Sequence, residues 1–165
     1  EPLPYPCIAI EPPANPEPLD SALRDLAAGC YAWLVVTSAN TVRMVADRLA
    51  AQNLVLPVPS ALRIAAVGSA TAEAVQSKLE RIADLVPDEQ VAEGLAAALL
   101  AAVQPGQRVL LPQGDLARSV LADALAAAGI ATTCVVAYRT TAGSGGVGDT
   151  TKLPCVHATS ARRRS

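Results

Sequence analysis

The sequence predicts an α/β domain built on a parallel sheet, with helices on both faces in a flavodoxin-like, doubly wound arrangement. Three observations point to this fold class. Short, continuously apolar segments alternate with longer segments whose apolar residues recur at helical spacing. Strands that are apolar throughout are typical of a sheet covered on both sides. The length of 165 residues and the apolar content of 52% suffice for one such core.

The first part of the chain sets the pattern. A Pro-rich lead-in contains a β-prone stretch at residues 7–10, and a helix is predicted over residues 19–28. Residues 33–36, Trp-Leu-Val-Val, are predicted as a buried strand because they are short and continuously apolar. The turn at residues 37–40 then opens a helix. The apolar residues on one face of that helix are Val42, Val45, Ala46 and Leu49.

The same strand-turn-helix unit then repeats. The remaining predictions are, in chain order, a strand over residues 63–67, a turn over 68–71, a helix over 70–80, a short strand over 83–86, a helix over 91–102, a strand over 108–111, a turn over 112–115, a helix that aligns Leu116, Val120, Ala124, Leu125 and Ala128, and a β-branched strand over 132–139. Gly129 is predicted as the glycine that ends the last helix.

Three regions are predicted along the chain. They are a Pro-rich lead-in with a linker strand near residues 7–10 (1–18), the α/β domain (19–140) and a flexible, Gly/Ser-rich basic tail (141–165). The tail holds four of the thirteen basic residues and one acidic residue, so it carries +3 and the rest carries −5. Such a tail either contacts nucleic acid or a membrane or is a solvated chain end, and its lack of aromatic residues favours the solvated end.

Composition excludes several classes of protein. A net charge of −2 gives no field that draws in nucleic acid, and one Trp and no Phe leave little for bases to stack on. No apolar run reaches the roughly 18 residues of a membrane span. The first residues show neither the basic start nor the apolar segment of a signal peptide. We therefore expect a cytoplasmic protein that binds neither nucleic acid nor a membrane.

The cysteines and the histidine restrict the chemistry further. The cysteines are far apart in sequence, without a CxxC pair, so neither a zinc site nor a redox pair is indicated. We interpret them as buried small apolar residues in a reducing compartment. The single histidine, His157, lies in the tail, which excludes a Ser-His-Asp triad or a His-built metal site in the α/β domain. The four cysteines are Cys7, Cys30, Cys134 and Cys155.

Three strand-to-helix turns are candidate binding elements, at residues 37–40, 68–71 and 113–115. Ligands of open α/β sheets bind beyond the carboxyl ends of the strands, where these turns should meet. Each turn is expected to open a helix whose unpaired N–H groups and partial positive charge suit a carboxylate or phosphate. The alternative is ordinary helix capping, which Asp115 in particular fits. No turn is GxGxxG or GxxxxGK[ST], so dinucleotide and P-loop binding lack their motifs.

Three further side chains could reach a ligand at this edge. Arg43 lies one turn into its helix, and Arg118 lies one turn past the third binding turn. Either could contact an anion, and the alternative is a solvated surface arginine. Tyr138 closes the last strand, and its hydroxyl can donate a proton, whereas the alternative is half-buried packing.

Four segments together resemble the uroporphyrinogen-III synthase family. They are residues 33–43 (WLVVTSANTVR), 66–72 (AVGSATA), 109–118 (VLLPQGDLAR) and 136–140 (VAYRT). The segments occur in the family's order, and the resemblance covers residues 7–140. Gln113 departs from the pattern, because many relatives carry a basic residue there, and this weakens anion binding at the third turn.

The resemblance implies two α/β domains joined by a two-stranded ladder, with one domain inserted in the other. This chain is similar to the inserted domain, and residues 7–10 and 135–138 would then be the ladder strands. Segments of the other domain are not matched, so we expect a truncated chain. In the family the substrate lies in the cleft between the two domains.

The implied activity is that of a lyase in tetrapyrrole (haem or corrinoid) biosynthesis. Such an enzyme cyclises hydroxymethylbilane, a linear tetrapyrrole with eight carboxylates, to uroporphyrinogen III with loss of water and inversion of ring D. The resemblance implies no metal and no organic cofactor. It makes Tyr138 the catalytic residue that assists departure of the hydroxyl. Substrate binding is expected from Thr37, Ser38, Gly68, Ser69 and Thr71 by their motifs, and from Asn40, Arg43 and Arg118 by their positions at the same edge.

We further expect a monomer, with hand-over of the substrate from hydroxymethylbilane synthase. Two other hypotheses stay open. One is a non-catalytic α/β module, or a regulatory domain, that binds a small anionic ligand. The other is a fragment without a stable function.

Overall fold

The computed structural model describes residues 8–58 and 60–142. Its strands are β1 (Ile8–Glu11), β2 (Trp33–Val36), β3 (Arg63–Ala66), β4 (Arg108–Gly114) and β5 (Ala131–Ala142). Its helices are α1 (Glu17–Ala27), α2 (Ala39–Ala51), α3 (Ser69–Leu79), α4 (Ala92–Ala102) and α5 (Val120–Ala127). Contacts divide the chain into residues 12–139 and a second unit of residues 1–11 and 140–165, of which 8–11 and 140–142 are described.

Within residues 12–139 the strand order is β5-β4-β2-β3. Strands β2 to β5 pair in parallel, which confirms the predicted parallel α/β fold. The chain passes from β2 to β3 on one side, and β4 then pairs with the other side of β2. The winding therefore reverses between β2 and β4, and such a switch point leaves a crevice at the carboxyl ends of the strands.

Helices cover both faces of this sheet, as predicted. Alternate strand residues point to opposite faces, so Leu34 and Val36 belong to one core, and Trp33 and Val35 to the other. The first core packs against α1, α2 and α3, and the second packs against α4 and α5. The alternation gives β2 a buried residue at every position, which is why its sequence is apolar throughout.

The carboxyl ends of β2 and β4 part from each other. The register of β2 with β4 ends at Leu34↔Leu110, whereas its register with β3 continues to Val36↔Ala66. Pro112 follows shortly after in β4, and its ring nitrogen has no N–H to donate to a neighbouring strand. The end of β4 thus leaves β2, and a cleft opens at the switch point.

A paired arginine joins α1 to α2 on the first face. Arg48 donates from Nε to Asp20 Oδ1 at 2.8 Å and from its terminal nitrogen to Oδ2 at 2.6 Å. The hydrogen bonds to Asp20 raise the pKa of Arg48 above its ordinary value, although burial acts against this. Two parallel hydrogen bonds between a planar guanidinium and a carboxylate fix both the distance and the orientation of the pair. The bidentate pair therefore fixes the position of α1 relative to α2.

The third predicted turn differs from the structure. Strand β4 runs on to Gly114 and α5 begins at Val120, so residues 113–115 do not open a helix and Asp115 is not its cap. The reason is continued pairing with β5, because Asp115 N donates to Tyr138 O at 3.0 Å. Leu116, predicted on the inner face of the helix, precedes it and is 71% exposed.

The strand predicted at residues 83–86 is also wrong. The structure shows an isolated bridge between Leu85 and Ala65 in its place. The carboxylate of Asp84 accepts a hydrogen bond from Ile64 N at 2.8 Å. The backbone N–H of Ile64, which a longer β ladder would use, is thus bonded to a side chain. Pro87, directly after the predicted strand, has no N–H with which to extend the ladder.

The prediction that the cysteines are buried is wrong for the two that the structure describes. Cys30 and Cys134 are both exposed. Cys30 follows the turn at Gly29, and Cys134 lies on β5. Partial desolvation raises the pKa of the Cys134 thiol, and the charge of Asp123 raises it further.

Other predictions have mixed outcomes. Gly129 has a φ of 79° and ends the last helix as expected. Cys7, Cys155, His157 and the tail beyond residue 142 lie outside the described residues. Among the helices of residues 8–58 and 60–142, none combines the length and the hydropathy that a membrane span requires.

Candidate active-site cleft

A cleft of about 250 Å³ lies at the carboxyl ends of β2, β4 and β5. It occupies the switch point at which β2 and β4 part. Polar and apolar groups from the ends of β2, β3 and β4, from β5, from α4 and α5 and from the segment before α5 meet there. The lining residues are Thr37, Ser38, Val67, Ala92, Gln113, Gly114, Ala117, Arg118, Leu121 and Tyr138.

The β2 side of the cleft is the N-terminus of α2. Ser38 is the N-cap residue, in an extended conformation, and its Oγ accepts a hydrogen bond from Thr41 N at 3.1 Å. The side chain therefore satisfies one of the N–H groups that a helix start leaves open. Ser38 Oγ also lies 3.0 Å from Thr41 Oγ1, which belongs to a fully buried residue.

The β5 side of the cleft carries Tyr138. Its hydroxyl lies 3.3 Å from Ser38 Oγ, so two hydroxyls join β5 to the start of α2. Gly114 makes this approach possible, because a Cβ on Gly114 would lie 2.4 Å from Tyr138 Cζ and 2.6 Å from its hydroxyl oxygen. Glycine is needed at position 114 because there is no space for a side chain. Its backbone does not have the positive φ that favours glycine.

The N-terminus of α3 stands beside that of α2. Val67 N donates to Val36 O at 3.2 Å, so the turns after β2 and β3 share one edge of the sheet. Ser69 N at the start of α3 donates to Gln90 Oε1 at 3.2 Å. A Cβ on Gly68 would lie 2.8 Å from that same oxygen. Gln90 thus caps α3 from a distant segment, and Gly68 leaves room for it.

Arg118 lines the cleft and is paired with Glu93. Its two terminal nitrogens lie 3.4 Å from the two carboxylate oxygens, and both side chains are exposed. The pKa of Glu93 is lowered by a hydrogen bond from its own backbone N–H and, next, by Arg118. The carboxylate therefore stays ionised at neutral pH and competes with any anionic ligand for Arg118.

The other predicted residues lie near the cleft with different surroundings. Arg43 is exposed and donates to Asn40 Oδ1 within α2. Thr71 is buried in α3, and Ser69 is exposed at its start. Thr37, Ser38, Arg118 and Tyr138 are the predicted residues that the structure brings to the lining of one cleft.

Sequence reasoning missed Thr41, Gln90 and the spatial role of Gly114. Thr41 follows Ser38 at the spacing of a capping pair, which is a usable signal. Gln90 has none, because it acts on a helix start 21 residues away. In residues 8–58 and 60–142, no group of three or more His, Cys, Asp or Glu side chains could hold a metal ion.

The fold and the cleft define a parallel α/β domain with hydroxyls, helix N-termini and one arginine around a switch-point crevice. The family follows from comparison with known proteins. The family model described as uroporphyrinogen-III synthase HemD matches residues 1–153. The chain belongs to the uroporphyrinogen-III synthase family.

Curated relatives agree with this assignment. The uroporphyrinogen-III synthase of Synechococcus elongatus is 37% identical over 136 residues, which are 81% of this chain and 49% of the relative. The porphyrin biosynthesis protein HemD of Ruminiclostridium josui is 29% identical over 140 residues, or 85% of this chain and 27% of that protein. The chain spans half or less of the length of these two relatives.

Solved structures show the same fold. A mutant of the uroporphyrinogen III synthase of the extremely thermophilic bacterium Thermus thermophilus superposes with a TM-score of 0.60 at 24% identity, over 84% of this chain and 53% of that one. The wild-type enzyme gives a TM-score of 0.57 at 25% identity, over 84% and 52%. This chain spans about half of each of those structures.

Proposed function

We propose that the chain acts as a uroporphyrinogen-III synthase domain and binds hydroxymethylbilane in the cleft between β2 and β4. The reaction would convert this linear tetrapyrrole to uroporphyrinogen III with loss of water and inversion of ring D. The proposal rests on membership of the family together with one observation. That observation is the convergence of Tyr138 and Ser38, which are 100 residues apart in sequence, in the lining of one cleft.

The cleft has groups that suit a substrate with many carboxylates. The starts of α2 and α3 lie side by side at its edge and present backbone N–H groups with a partial positive charge. Thr37 adds a hydroxyl donor, Ser38 caps the start of α2 beside it, and Arg118 adds a cation. Binding by amides and hydroxyls fixes the carboxylates of the substrate in place. The two reacting ends of the linear tetrapyrrole are thereby held close together.

Tyr138 is the proposed acid in the first chemical step. The bond between the terminal carbon and its hydroxyl breaks, and the phenol proton joins the leaving hydroxyl to form water. The electron pair that compensates the carbon comes from the adjacent pyrrole nitrogen, which gives an azafulvenium cation and leaves Tyr138 as a phenolate. Ring closure through a spiro intermediate then leads to inversion of ring D, and the proton released at the end restores the phenol.

The proposal includes a monomeric, cytoplasmic protein that takes its substrate from hydroxymethylbilane synthase. Sedimentation of the chain with and without that synthase would test both the oligomeric state and the hand-over. A stable monomer and a synthase-dependent shift are the expected results. A self-associated chain would contradict the first point, and the lack of a shift would contradict the second.

The activity is tested by generating hydroxymethylbilane enzymatically in the presence of the full chain and separating the product isomers. Uroporphyrinogen III in excess over the spontaneous isomer I is the expected result. Isomer I alone would contradict the proposed activity. Tight binding of uroporphyrinogen III without isomer III formation would instead favour a non-catalytic anion-binding module.

A further inference from the structure

We propose that Thr41 is a positioning residue that sets the direction of a chain of three hydroxyls and thereby keeps the proton of Tyr138 available to the cleft. The inference rests on the proposed function for its catalytic meaning, and its geometric content stands independently. Thr41 does not line the cleft and acts through Ser38.

Ser38 Oγ is the centre of this hydroxyl chain. It lies 3.1 Å from Thr41 N, 3.0 Å from Thr41 Oγ1 and 3.3 Å from the Tyr138 hydroxyl. A hydroxyl has one proton to donate and two lone pairs to accept. The backbone N–H of Thr41 can only donate, so it takes one lone pair. One proton and one lone pair of Ser38 remain for the two other hydroxyls.

Two arrangements satisfy this count at Ser38. In the first, Thr41 donates to Ser38, and Ser38 donates to Tyr138. In the second, Tyr138 donates to Ser38, and Ser38 donates to Thr41. The arrangements differ in which hydroxyl has a proton that it does not donate within the group of three. In the first arrangement this is Tyr138, and in the second it is Thr41.

Burial of Thr41 selects the first arrangement. The residue is 0% exposed, and Ser38 is the partner of its hydroxyl among the described residues. In the second arrangement the Thr41 proton would be buried without an acceptor, which is costly. In the first arrangement the free proton belongs to Tyr138, which lines the cleft and can donate to a ligand or to water.

For the reaction, this means that the Tyr138 hydroxyl is already oriented as a proton donor before substrate binds. Tyr138 accepts from Ser38 and directs its own proton into the cleft, where the leaving hydroxyl of the substrate would accept it. Gly114 holds the ring in this position by leaving space for it against β4. The donor therefore needs no reorientation when substrate arrives.

The proton positions can be observed directly by neutron diffraction on crystals of the full chain exchanged into deuterium oxide. Deuterium between Ser38 and Tyr138 bonded to Ser38 Oγ is the expected result. Deuterium on the Tyr138 oxygen and directed at Ser38 would overturn the proposal. This readout does not depend on activity, so a chain that forms no isomer III would refute the proposed function and leave this inference intact.

Kinetics supply a second test with matched variants. Thr41→Val keeps the backbone N–H that caps onto Ser38 and removes the hydroxyl, and we expect kcat to fall about threefold to tenfold with KM unchanged. Thr41→Ser restores the hydroxyl and should restore kcat. In a Tyr138→Phe background Thr41→Val should have no further effect. An unchanged kcat in Thr41→Val, or an equal loss in both backgrounds, would overturn the proposal.

Discussion

The two sides of the cleft are built in different ways. On the β2–β3 side, the helices start within three residues of the strand ends, at Ala39 and Ser69, and their first turns form the edge. On the β4–β5 side, β4 runs on to Gly114, α5 starts only at Val120, and the side chain of Tyr138 reaches the cleft from β5. One side is local in sequence, and the other depends on contacts between residues far apart.

The largest expected effect tests the distant contact between Gly114 and Tyr138. Gly114→Ala should lower the free energy of unfolding by about 1–3 kcal/mol, because the new methyl group overlaps the tyrosine ring. Urea denaturation of the full chain measures it. In a Tyr138→Ala background the same substitution should cost much less. An equal cost in both backgrounds would show that the ring contact is not the cause.

The same contrast explains how much of the fold and of the site could be predicted. Trp33–Val36 and the helix after it follow from a buried apolar run and a Ser cap, which are local signals. The extension of β4 to Gly114 depends on its pairing with Tyr138 across a register shift, which no local pattern encodes. The cap that Gln90 provides for α3 is hidden for the same reason.

Loss of the local cap is the next largest effect. Ser38→Ala removes the acceptor of Thr41 N, and we expect the free energy of unfolding to fall by about 1 kcal/mol. Ser69→Ala at the start of α3 is the matched control, because the exposed Ser69 is not a capping side chain. Its change should stay within about 0.5 kcal/mol. Equal losses in the two variants would remove the distinction between the two helix starts.

The remote cap of α3 has a smaller expected effect. Gln90→Ala removes the oxygen that accepts from Ser69 N, and the free energy of unfolding should fall by about 0.5 kcal/mol because the bond is exposed to solvent. Hydrogen exchange at the Ser69 amide should also quicken. Gln76→Ala, at an exposed position of α3, serves as the control. An unchanged exchange rate in Gln90→Ala would mean that the remote cap is not formed in solution.

The smallest expected effect concerns Arg118. Glu93→Gln removes the competing carboxylate, so the affinity for uroporphyrinogen III should rise about twofold to threefold at low salt. The gain should vanish at high salt and in an Arg118→Gln background. A gain that persists without Arg118 would show that the ion pair is not the competitor.

The pH dependence of this ion pair has a definite sign. The pKa of Glu93 is lowered in the folded chain, so the pair is present above the ordinary carboxylate range and is lost as the pH falls through the lowered pKa. Between pH 8 and pH 5 the Glu93 carboxyl carbon should therefore keep the NMR shift of an ionised group. A titration step inside that range would contradict the assignment.

We propose that the cleft between β2 and β4 binds a polycarboxylate through helix N-termini and hydroxyls. An NMR titration of the full chain with uroporphyrinogen III locates the binding surface residue by residue. We expect saturable, salt-sensitive shifts at the backbone amides of residues 37–41, 68–71 and 113–118 and at Tyr138. Shifts confined to another surface, such as the groove lined by Leu54, Val55 and Leu79, would show that the cleft is not the binding site.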